Sequence, residues 1–261
     1  MQVCKYFQHK TFPYFVVKEL STSTHFFGEN FSYTTLNEEQ YEWERIEDIP
    51  DNICIINGIF IELSPQRCFI SQLVPKIVAC EVKILNLDSQ KLTIGEFKAL
   101  SFFVEVLVLY GTFIFDGNNR LAPLEVILDC LPKAEEIQIQ STVLDYSFPL
   151  STMPSFSSID AAKKVKLLKL RDLELQYIPH IYNVAALLEF MNQNKSVDFF
   201  ITFVDVSYFP YGEKLQEYVD AIIEAWDFQN PPPIIDFPGQ TMKSKDALWQ
   251  LQREFARKKI R

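Results

Sequence analysis

Glycine and histidine are scarce in this sequence, and their scarcity excludes several common kinds of site. Only 7 of the 261 residues are glycine, and neither G-x-G-x-x-G nor G-x-x-x-x-G-K-[ST] occurs. Loops that cradle phosphate groups need glycine, because their backbone must approach the ligand closely. The 3 histidines have no partner at the spacing of a metal site such as H-E-x-x-H, and no G-x-S-x-G elbow occurs. The sequence therefore predicts no cofactor, no metal site and no catalytic residue.

Basic charge is also in short supply. The chain has 25 Lys and Arg against 34 Asp and Glu, a formal net charge of -9. Such a surface repels a phosphate backbone, so nucleic acid is not an expected partner. The basic tail at 243–261 is the local exception, and a solvated helix is favoured there over a weak contact with nucleic acid or an anionic membrane. The acidic stretch at 37–51 is either a solvated edge or a docking strip for a basic partner.

No apolar run is long enough to predict a membrane span. The nearest candidate, 99–115, is interrupted by Glu105, and an ionised glutamate is costly at the centre of a bilayer. The 5 cysteines are odd in number and contain no C-x-x-C pair, which is typical of a reducing compartment. Because the first residues also lack the apolar stretch of a secretory signal, we expect a cytoplasmic protein, with the nucleus as the alternative.

Four segments have the apolar spacing of a leucine-rich repeat, L-x-x-L-x-L-x-x-N-x-L. They lie at 82–92, 104–114, 134–144 and 165–175. Their predicted inward strand residues are Leu85, Leu87, Leu107, Leu109, Ile137, Ile139, Leu168 and Leu170. The asparagine position holds Gln90, Thr112, Thr142 and Leu173 instead. A threonine hydroxyl can satisfy part of the backbone at that bend and a leucine cannot, so we expect irregular turns.

Stacking of these units determines the predicted fold. Alternate residues of a strand point to opposite sides, and each unit buries its inner face only against its neighbours. Helical spacing at 121–131 and 184–191 predicts returns between the strands, and 215–226 predicts an amphipathic capping helix. The sequence thus predicts an α/β fold, an irregular leucine-rich-repeat-like solenoid with a parallel sheet, helical returns and a C-terminal capping helix.

The flanking segments differ from the repeat region in composition. Residues 1–50 are predicted to form an N-terminal helical and acidic segment, with a short amphipathic helix at 13–20. Residues 51–230 form the repeat-like domain with its capping helix. Residues 231–261 are predicted to be a proline-rich linker and a basic tail helix. The linker begins with three prolines, a short strand follows at 234–237, and the exposed basic helix comes last.

The outward strand positions are the predicted binding surface, because the opposite positions are taken up by the core. Tyrosine and arginine are among the residues that most often dominate binding energy. The alternative is that the outward residues are only solvated. The candidate protein-binding residues are Asn86, Asp88, Tyr110, Gln138, Gln140, Lys169 and Arg171.

Several stretches resemble a known family. The sequence at 104–110, the stretch at 124–139 and the helix-like stretch at 212–226 are similar to the large nematode group of F-box-associated proteins. That resemblance implies a substrate-recruiting role in a cullin-RING ubiquitin ligase, with ligase components among the partners. An F-box is a helical segment, and only a remnant at 12–20 fits it here. If that docking half is absent, the chain binds partners without delivering them for ubiquitination.

The predicted function is therefore that of a non-enzymatic protein–protein interaction module, which the resemblance extends to the substrate-binding part of a ubiquitin-ligase receptor. One alternative is an α/β enzyme of hydrolase type whose active site is dispersed along the chain and assembles only in space. Another is a degenerate paralogue that has no specific partner.

Overall fold

The computed structural model describes residues 14–25, 28–43, 45–62, 69–141, 153–165, 167–179, 182–204, 210–227 and 229–259. These residues form a mixed α/β structure with a large, mostly parallel sheet. The strands are β1 (Phe15–His25), β2 (Gly28–Thr34), β3 (Gln40–Trp43), β4 (Ile53–Ile61), β5 (Ile77–Cys80), β6 (Ile84–Asp88), β7 (Lys91–Thr93), β8 (Val106–Tyr110), β9 (Phe113–Phe115), β10 (Glu136–Gln140), β11 (Asp172–Ile178), β12 (Asp198–Phe203) and β13 (Ile234–Asp236). The helices are α1 (Phe69–Leu73), α2 (Ile94–Ser101), α3 (Leu124–Asp129), α4 (Ile159–Lys164), α5 (Val184–Gln193), α6 (Gly212–Ala225) and α7 (Met242–Lys259).

The main sheet has the strand order β13-β12-β11-β10-β8-β6-β4-β1-β2-β3, with β5 paired to β4. From β1 through β4 to β13, each strand is parallel to the next one along this path. Strands β2 and β3 extend the other edge in antiparallel pairing. A second, two-stranded parallel sheet joins β7 to β9 at the turns that follow β6 and β8. The parallel sheet predicted from the repeats is therefore confirmed.

Alternation along the strands separates a buried face from an open one. Strand β6 buries Leu85 and Leu87, and its other three residues are partly exposed. Strands β8 and β10 repeat this pattern. The inward residues share one continuous hydrophobic core with the buried sides of α2, α3 and α5. The inward assignment of Leu107, Leu109, Ile137 and Ile139 is thus confirmed.

The predicted helices and the last strand also occur in the structure. Helix α3 begins after Pro123, whose fixed φ suits a helix start, and it lies within the predicted 121–131. Helices α5 and α6 match the predictions at 184–191 and 215–226. Helix α7 matches the helix predicted in the basic tail, and β13 matches the short strand predicted before it. Helical spacing and strand alternation are local properties, so sequence alone located these elements well.

The fourth repeat was predicted in the wrong strand register, although the inward assignment of Leu170 is confirmed by its burial in the common core. Leu168 was expected to point inward, but it is 96% exposed and lies before the strand. Strand β11 begins at Asp172, and Leu173 is its first buried residue, paired with Ile137 of β10. Both registers present leucines at alternate positions, so local spacing did not distinguish them. Pairing with β10 and β12 selects the one that buries Leu173 and Leu175.

The helix predicted at 13–20 is also wrong, because β1 begins at Phe15 and runs in parallel with β4. The apolar residues of this stretch fit a helical face, yet they equally fit an extended strand rich in β-branched residues. Val17 and Leu20 are fully buried in the common core. The described part of the proposed F-box remnant is therefore strand, and its first residues, 12 and 13, lie outside the described residues.

The C-terminal segment packs on the sheet, which corrects the prediction of a linker and an exposed helix. Pro232 and Pro233 are buried and lead into β13. Strand β13 follows the predicted capping helix α6 in the chain and pairs with β12, so it forms the edge of the main sheet. Helix α7 contacts β13 and buries Leu248. Leu251 and Phe255 are half-buried on the same side of the helix. Burial of this apolar stripe offsets the cost of ordering the helix.

The stretch at 99–115, the nearest candidate for a membrane span, contains the end of α2 and strands β8 and β9. Among the described residues, no helix combines the length and the apolar composition that crossing a bilayer requires.

Candidate protein-binding face

The first predicted row of outward residues is present on three adjacent strands. Asn86 of β6 pairs with Val108 of β8, which pairs with Gln138 of β10. All three are partly exposed. Neither the Asn86 nor the Gln138 side chain forms a hydrogen bond with another described residue. These amides are available to a partner, because an exposed amide offers both donors and an acceptor.

The second predicted row lies one step further along the same strands. Asp88 pairs with Tyr110, and Tyr110 pairs with Gln140. The Asp88 carboxylate accepts a hydrogen bond of 2.7 Å from the neighbouring Ser89 hydroxyl. Tyr110 presents a partly exposed ring at the centre of the row. Together the two rows form a patch of amide, carboxylate and aromatic groups across β6, β8 and β10, and all of its side chains are partly exposed among the described residues.

Lys169 and Arg171 do not join these rows, because the fourth repeat is shifted. Both residues precede β11, and the positions in register with Gln138 and Gln140 are Glu174 and Gln176. Arg171 instead binds the carboxylates of Glu135 and Glu136, with N–O distances of 3.2 and 2.9 Å.

The shift changes the sign of the charge on this part of the face. Where the sequence predicted two cations, the structure has the carboxylate of Glu174 and the neutral amide of Gln176. None of the outward positions of β6, β8, β10, β11, β12 and β13 holds a lysine or an arginine. Those positions hold the carboxylates Asp88, Glu136, Asp172, Glu174, Asp198 and Asp236. The face is therefore acidic, a property that the predicted register concealed.

Helix α7 lies over the last strands on this outward face. The Trp249 ring packs on the Phe200 ring of β12, with the ring centroids 6.2 Å apart. Lys245 binds the carboxylate of Asp236 at 2.5 Å. Gln252 donates its amide to both carboxylate oxygens of Asp198, at 2.8 and 3.1 Å. These contacts fix the helix against the sheet and leave space on both sides of the Phe200 ring.

Two cavities occupy that space. The larger, of about 620 Å³, lies where β11, β12 and β13 end, and Glu174, Phe200, Asp236 and Lys245 are among its lining residues. The smaller, of about 290 Å³, lies nearer the beginning of the strands. Its lining includes Asp172, Glu174, Asp198, Phe200, Trp249 and Gln252. The smaller cavity combines three carboxylates with two aromatic rings.

The Asp198 carboxylate of the smaller cavity is partly buried. Burial raises its pKa above the ordinary range, and the nearby charge of Asp172 raises it further. The hydrogen bond from Gln252 and the charge of Lys259 act in the opposite direction. A buried carboxylate next to a second carboxylate is costly to ionise, so a cation placed between them would stabilise both.

Gln90 supports the carboxyl end of β6, next to Asp88. Its side chain is completely buried, and its amide oxygen accepts a hydrogen bond of 3.2 Å from the Ile70 backbone N–H. Its amide nitrogen donates to the Asp88 carbonyl at 3.1 Å. The Gln90 amide therefore satisfies backbone groups at the bend after β6, which is what an asparagine does at this position of a standard repeat. It also fixes the end of the strand that carries Asn86 and Asp88.

A third cavity, of about 240 Å³, lies between α5, α6 and the proline segment. The Tyr218 hydroxyl donates to the Asn192 side chain at 3.0 Å, and burial raises the pKa of Tyr218 to about 12. The buried indole nitrogen of Trp226 has no hydrogen-bond partner among the described residues. This cavity is on the helical side of the molecule, away from the outward rows.

Cys80 and Cys130 are partly buried free thiols. Burial raises the pKa of Cys80 to about 11, and burial likewise raises the pKa of Cys130, so the thiol form of each is favoured at neutral pH. In the described ranges, no group of three or more His, Cys, Asp and Glu side chains is arranged to hold a metal ion.

Comparison with protein-family models, with curated proteins and with solved structures found no match to this chain.

Proposed function

We propose that this protein is a non-enzymatic protein–protein interaction module whose partner binds the outward face of the sheet. We further propose that the main sheet is the sheet of an irregular leucine-rich-repeat-like solenoid. The strand order supports this interpretation, because strands from β4 to β13 succeed one another in space as they do along the chain, apart from the short β5, β7 and β9. The short β7–β9 sheet, which follows two successive units at equivalent positions, supports it as well.

A single observation carries the proposal of a binding face. Across β6, β8 and β10 the outward side chains are partly exposed, and no described helix lies over the rows containing Val108 and Tyr110. Polar side chains such as Gln138 have no partner among the described residues, while an aromatic ring stands beside them. Protein interfaces typically have aromatic anchors surrounded by polar groups that can form hydrogen bonds with the partner.

The resemblance to nematode F-box-associated proteins extends this proposal. On that basis the chain is the substrate-binding part of a ubiquitin-ligase receptor, and its partners include a substrate protein and ligase components. Strand β1 lies in the stretch where a helical docking segment was expected, so the proposal assigns substrate binding, and not adaptor docking, to the described residues. We propose that the protein acts in the cytoplasm, where cysteine thiols remain reduced.

A photo-cross-linking amino acid introduced in place of Val108 tests the proposed face. Val108 is outward at the centre of the sheet, and Leu168, which is 96% exposed in a connecting segment, is the matched control position. We expect a discrete cross-linked partner from position 108 in cells and none of the same mass from position 168. Mass spectrometry of the product, scored for ligase adaptors, tests the receptor assignment.

A double variant, Tyr110→Ala with Gln138→Ala, tests the same face without a probe. Loss of one anchoring ring and one amide is expected to weaken capture of the cross-linked partner by about tenfold or more, on the scale of interface hot spots. Leu168→Ala is the control and is expected to leave capture unchanged. Full capture by a folded double variant, or identical cross-links from positions 108 and 168, would show that the partner binds elsewhere.

A further inference from the structure

We infer that the smaller cavity between the outward face and α7 is a receptor for one cationic side chain, an arginine or a lysine, of a protein partner. The inference rests on the proposed function and specifies the chemistry that the partner must present. The cavity is formed by β11, β12 and α7, and its volume of about 290 Å³ is that of about ten water molecules at about 30 Å³ each. That is room for one long side chain.

Hydrogen-bond acceptors dominate the polar lining of the cavity. Asp172 and Asp198 occupy directly paired positions on β11 and β12, and Glu174 is the next outward residue of β11. The amide oxygen of Gln252 is buried and has no hydrogen-bond partner among the described residues. An ionised carboxylate only accepts hydrogen bonds, whereas a guanidinium offers five N–H donors and an ammonium three. Gln252 donates to Asp198 and the Gln176 side chain donates to Glu174, whereas the Asp172 side chain has no hydrogen-bond partner among the described residues. A cationic side chain would supply donors to Asp172 and to the remaining acceptor positions of the other two carboxylates.

The three carboxylates of the cavity form no ion pair with the residues that the structure describes. Arg171 is bound to Glu135 and Glu136. Lys259, in the last turn of α7, reduces the pKa shift of Asp198 from a distance. Like charges at directly paired strand positions destabilise a sheet, so a bound cation relieves a repulsion that is present in the unbound chain.

Aromatic rings also line the cavity. Trp249 is 41% exposed, and its ring is tilted by 59° against that of Phe200. The face of an aromatic ring attracts a cation, most strongly in the case of tryptophan. A carboxylate pair together with an indole ring distinguishes a cationic side chain from an anionic one and from an apolar one. The cavity therefore selects for positive charge, beyond the general attraction of an acidic surface.

The test uses the full chain and three small probes, N-acetyl-arginine amide, N-acetyl-lysine amide and N-acetyl-citrulline amide. Citrulline has nearly the shape of arginine without its charge. The NMR signals of the Trp249 indole N–H and the Gln252 side-chain amide report binding. We expect saturable shifts of both signals with the two cationic probes, with dissociation constants on the order of millimolar. Citrulline is expected to bind about tenfold more weakly or not at all.

Two folded variants localise the effect. Asp172→Asn with Glu174→Gln removes two of the three carboxylates and is expected to weaken arginine binding by about tenfold, since charge-assisted hydrogen bonds are lost. Glu217→Gln changes an exposed carboxylate of α6, outside the cavity and outside the outward rows, and is expected to leave the affinity unchanged. Thermal unfolding confirms that each variant is folded. Equal binding of arginine and citrulline amides, or equal loss in both variants, would overturn the inference.

The same measurements separate this inference from the proposed function. If the probes fail to bind while the position 108 cross-link persists, the cationic receptor is wrong and the binding face stands. If the probes bind as expected while position 108 yields no specific partner, the cavity is a cation receptor and the proposed face is wrong.

Discussion

Thr112 and Gln90 are joined by a buried hydrogen bond, in which the Gln90 backbone N–H donates to the Thr112 hydroxyl over 3.2 Å. The same hydroxyl donates to the Leu87 carbonyl at 2.9 Å. One side chain thus satisfies two backbone groups at the bend between β6 and β7, where the standard repeat uses asparagine. This is the role predicted for a threonine at that position, and the structure confirms it.

Thr112→Val tests this relationship. Valine fills the same volume without a hydroxyl, so the Gln90 N–H and the Leu87 carbonyl each lose a partner. We expect the free energy of unfolding to fall by about 1–3 kcal/mol, the cost of leaving buried polar groups unsatisfied. Urea denaturation followed by circular dichroism measures the change. Thr112→Ser keeps the hydroxyl and should retain most of the stability; equal losses in both variants would assign the effect to packing.

Leu173→Ala and Leu168→Ala test the register of the fourth repeat. Leu173 is 1% exposed and Leu168 is 96% exposed. Truncation of Leu173 is expected to lower the free energy of unfolding by about 2–5 kcal/mol, because it removes buried methyl groups and leaves a cavity. Truncation of Leu168 is expected to change it by less than about 0.5 kcal/mol. A larger loss for Leu168→Ala than for Leu173→Ala in urea denaturation would favour the register predicted from spacing alone.

Thr93→Ala tests the start of α2. The Thr93 hydroxyl accepts the Glu96 backbone N–H at 3.2 Å, and the Glu96 carboxylate accepts the Thr93 backbone N–H at 2.6 Å. This reciprocal capping box satisfies two otherwise unpaired donors. We expect a loss of about 1 kcal/mol in thermal or chemical unfolding. Lys98→Ala, an exposed change on the same helix, is the control, and a similar loss there would argue against a specific capping effect.

Asp198→Asn tests the repulsion between Asp172 and Asp198. Because the pKa of Asp198 is raised in the folded state, the folded chain holds that proton more tightly than the unfolded chain. The contribution of Asp198 to stability is therefore greatest below the ordinary aspartate pKa of about 3.9, and it is lost as the pH rises through the raised pKa.

Asparagine does not ionise and still accepts the hydrogen bond from Gln252, so at neutral pH the variant is expected to be more stable than the native chain by about 0.5 kcal/mol. The difference should vanish in acid. Unfolding measured across this pH range checks it, with Asp88→Asn as the control. A variant that is less stable at neutral pH would show that the Asp198 charge stabilises the fold.

Some features that sequence reasoning missed did leave a signal. Helix α2 was not predicted, although Thr93 and Glu96 have the spacing of a capping box in front of the apolar residues Phe97 and Leu100. Strand β1 was predicted as a helix, although Val16 and Val17 are β-branched and favour strands. At 13–20 the apolar spacing also fits a helix, and this periodicity competes with the strand propensity of the two valines.

The sequence by itself determined the alternation that buries Leu85 and Leu109, the three helices at 121–131, 184–191 and 215–226, and the rows containing Asn86 and Tyr110. These features depend on the spacing of apolar residues within one helix or strand, and that spacing can be read from the sequence. Only the tertiary structure decided that Glu174 replaces Lys169 in the outward row and that Trp249 lies on Phe200. The leucines around 170 fit two registers with equal spacing, and the choice depends on which of them the neighbouring strands bury. The packing of α7 on the outward face likewise depends on surfaces brought together from distant parts of the chain, for which no local pattern exists.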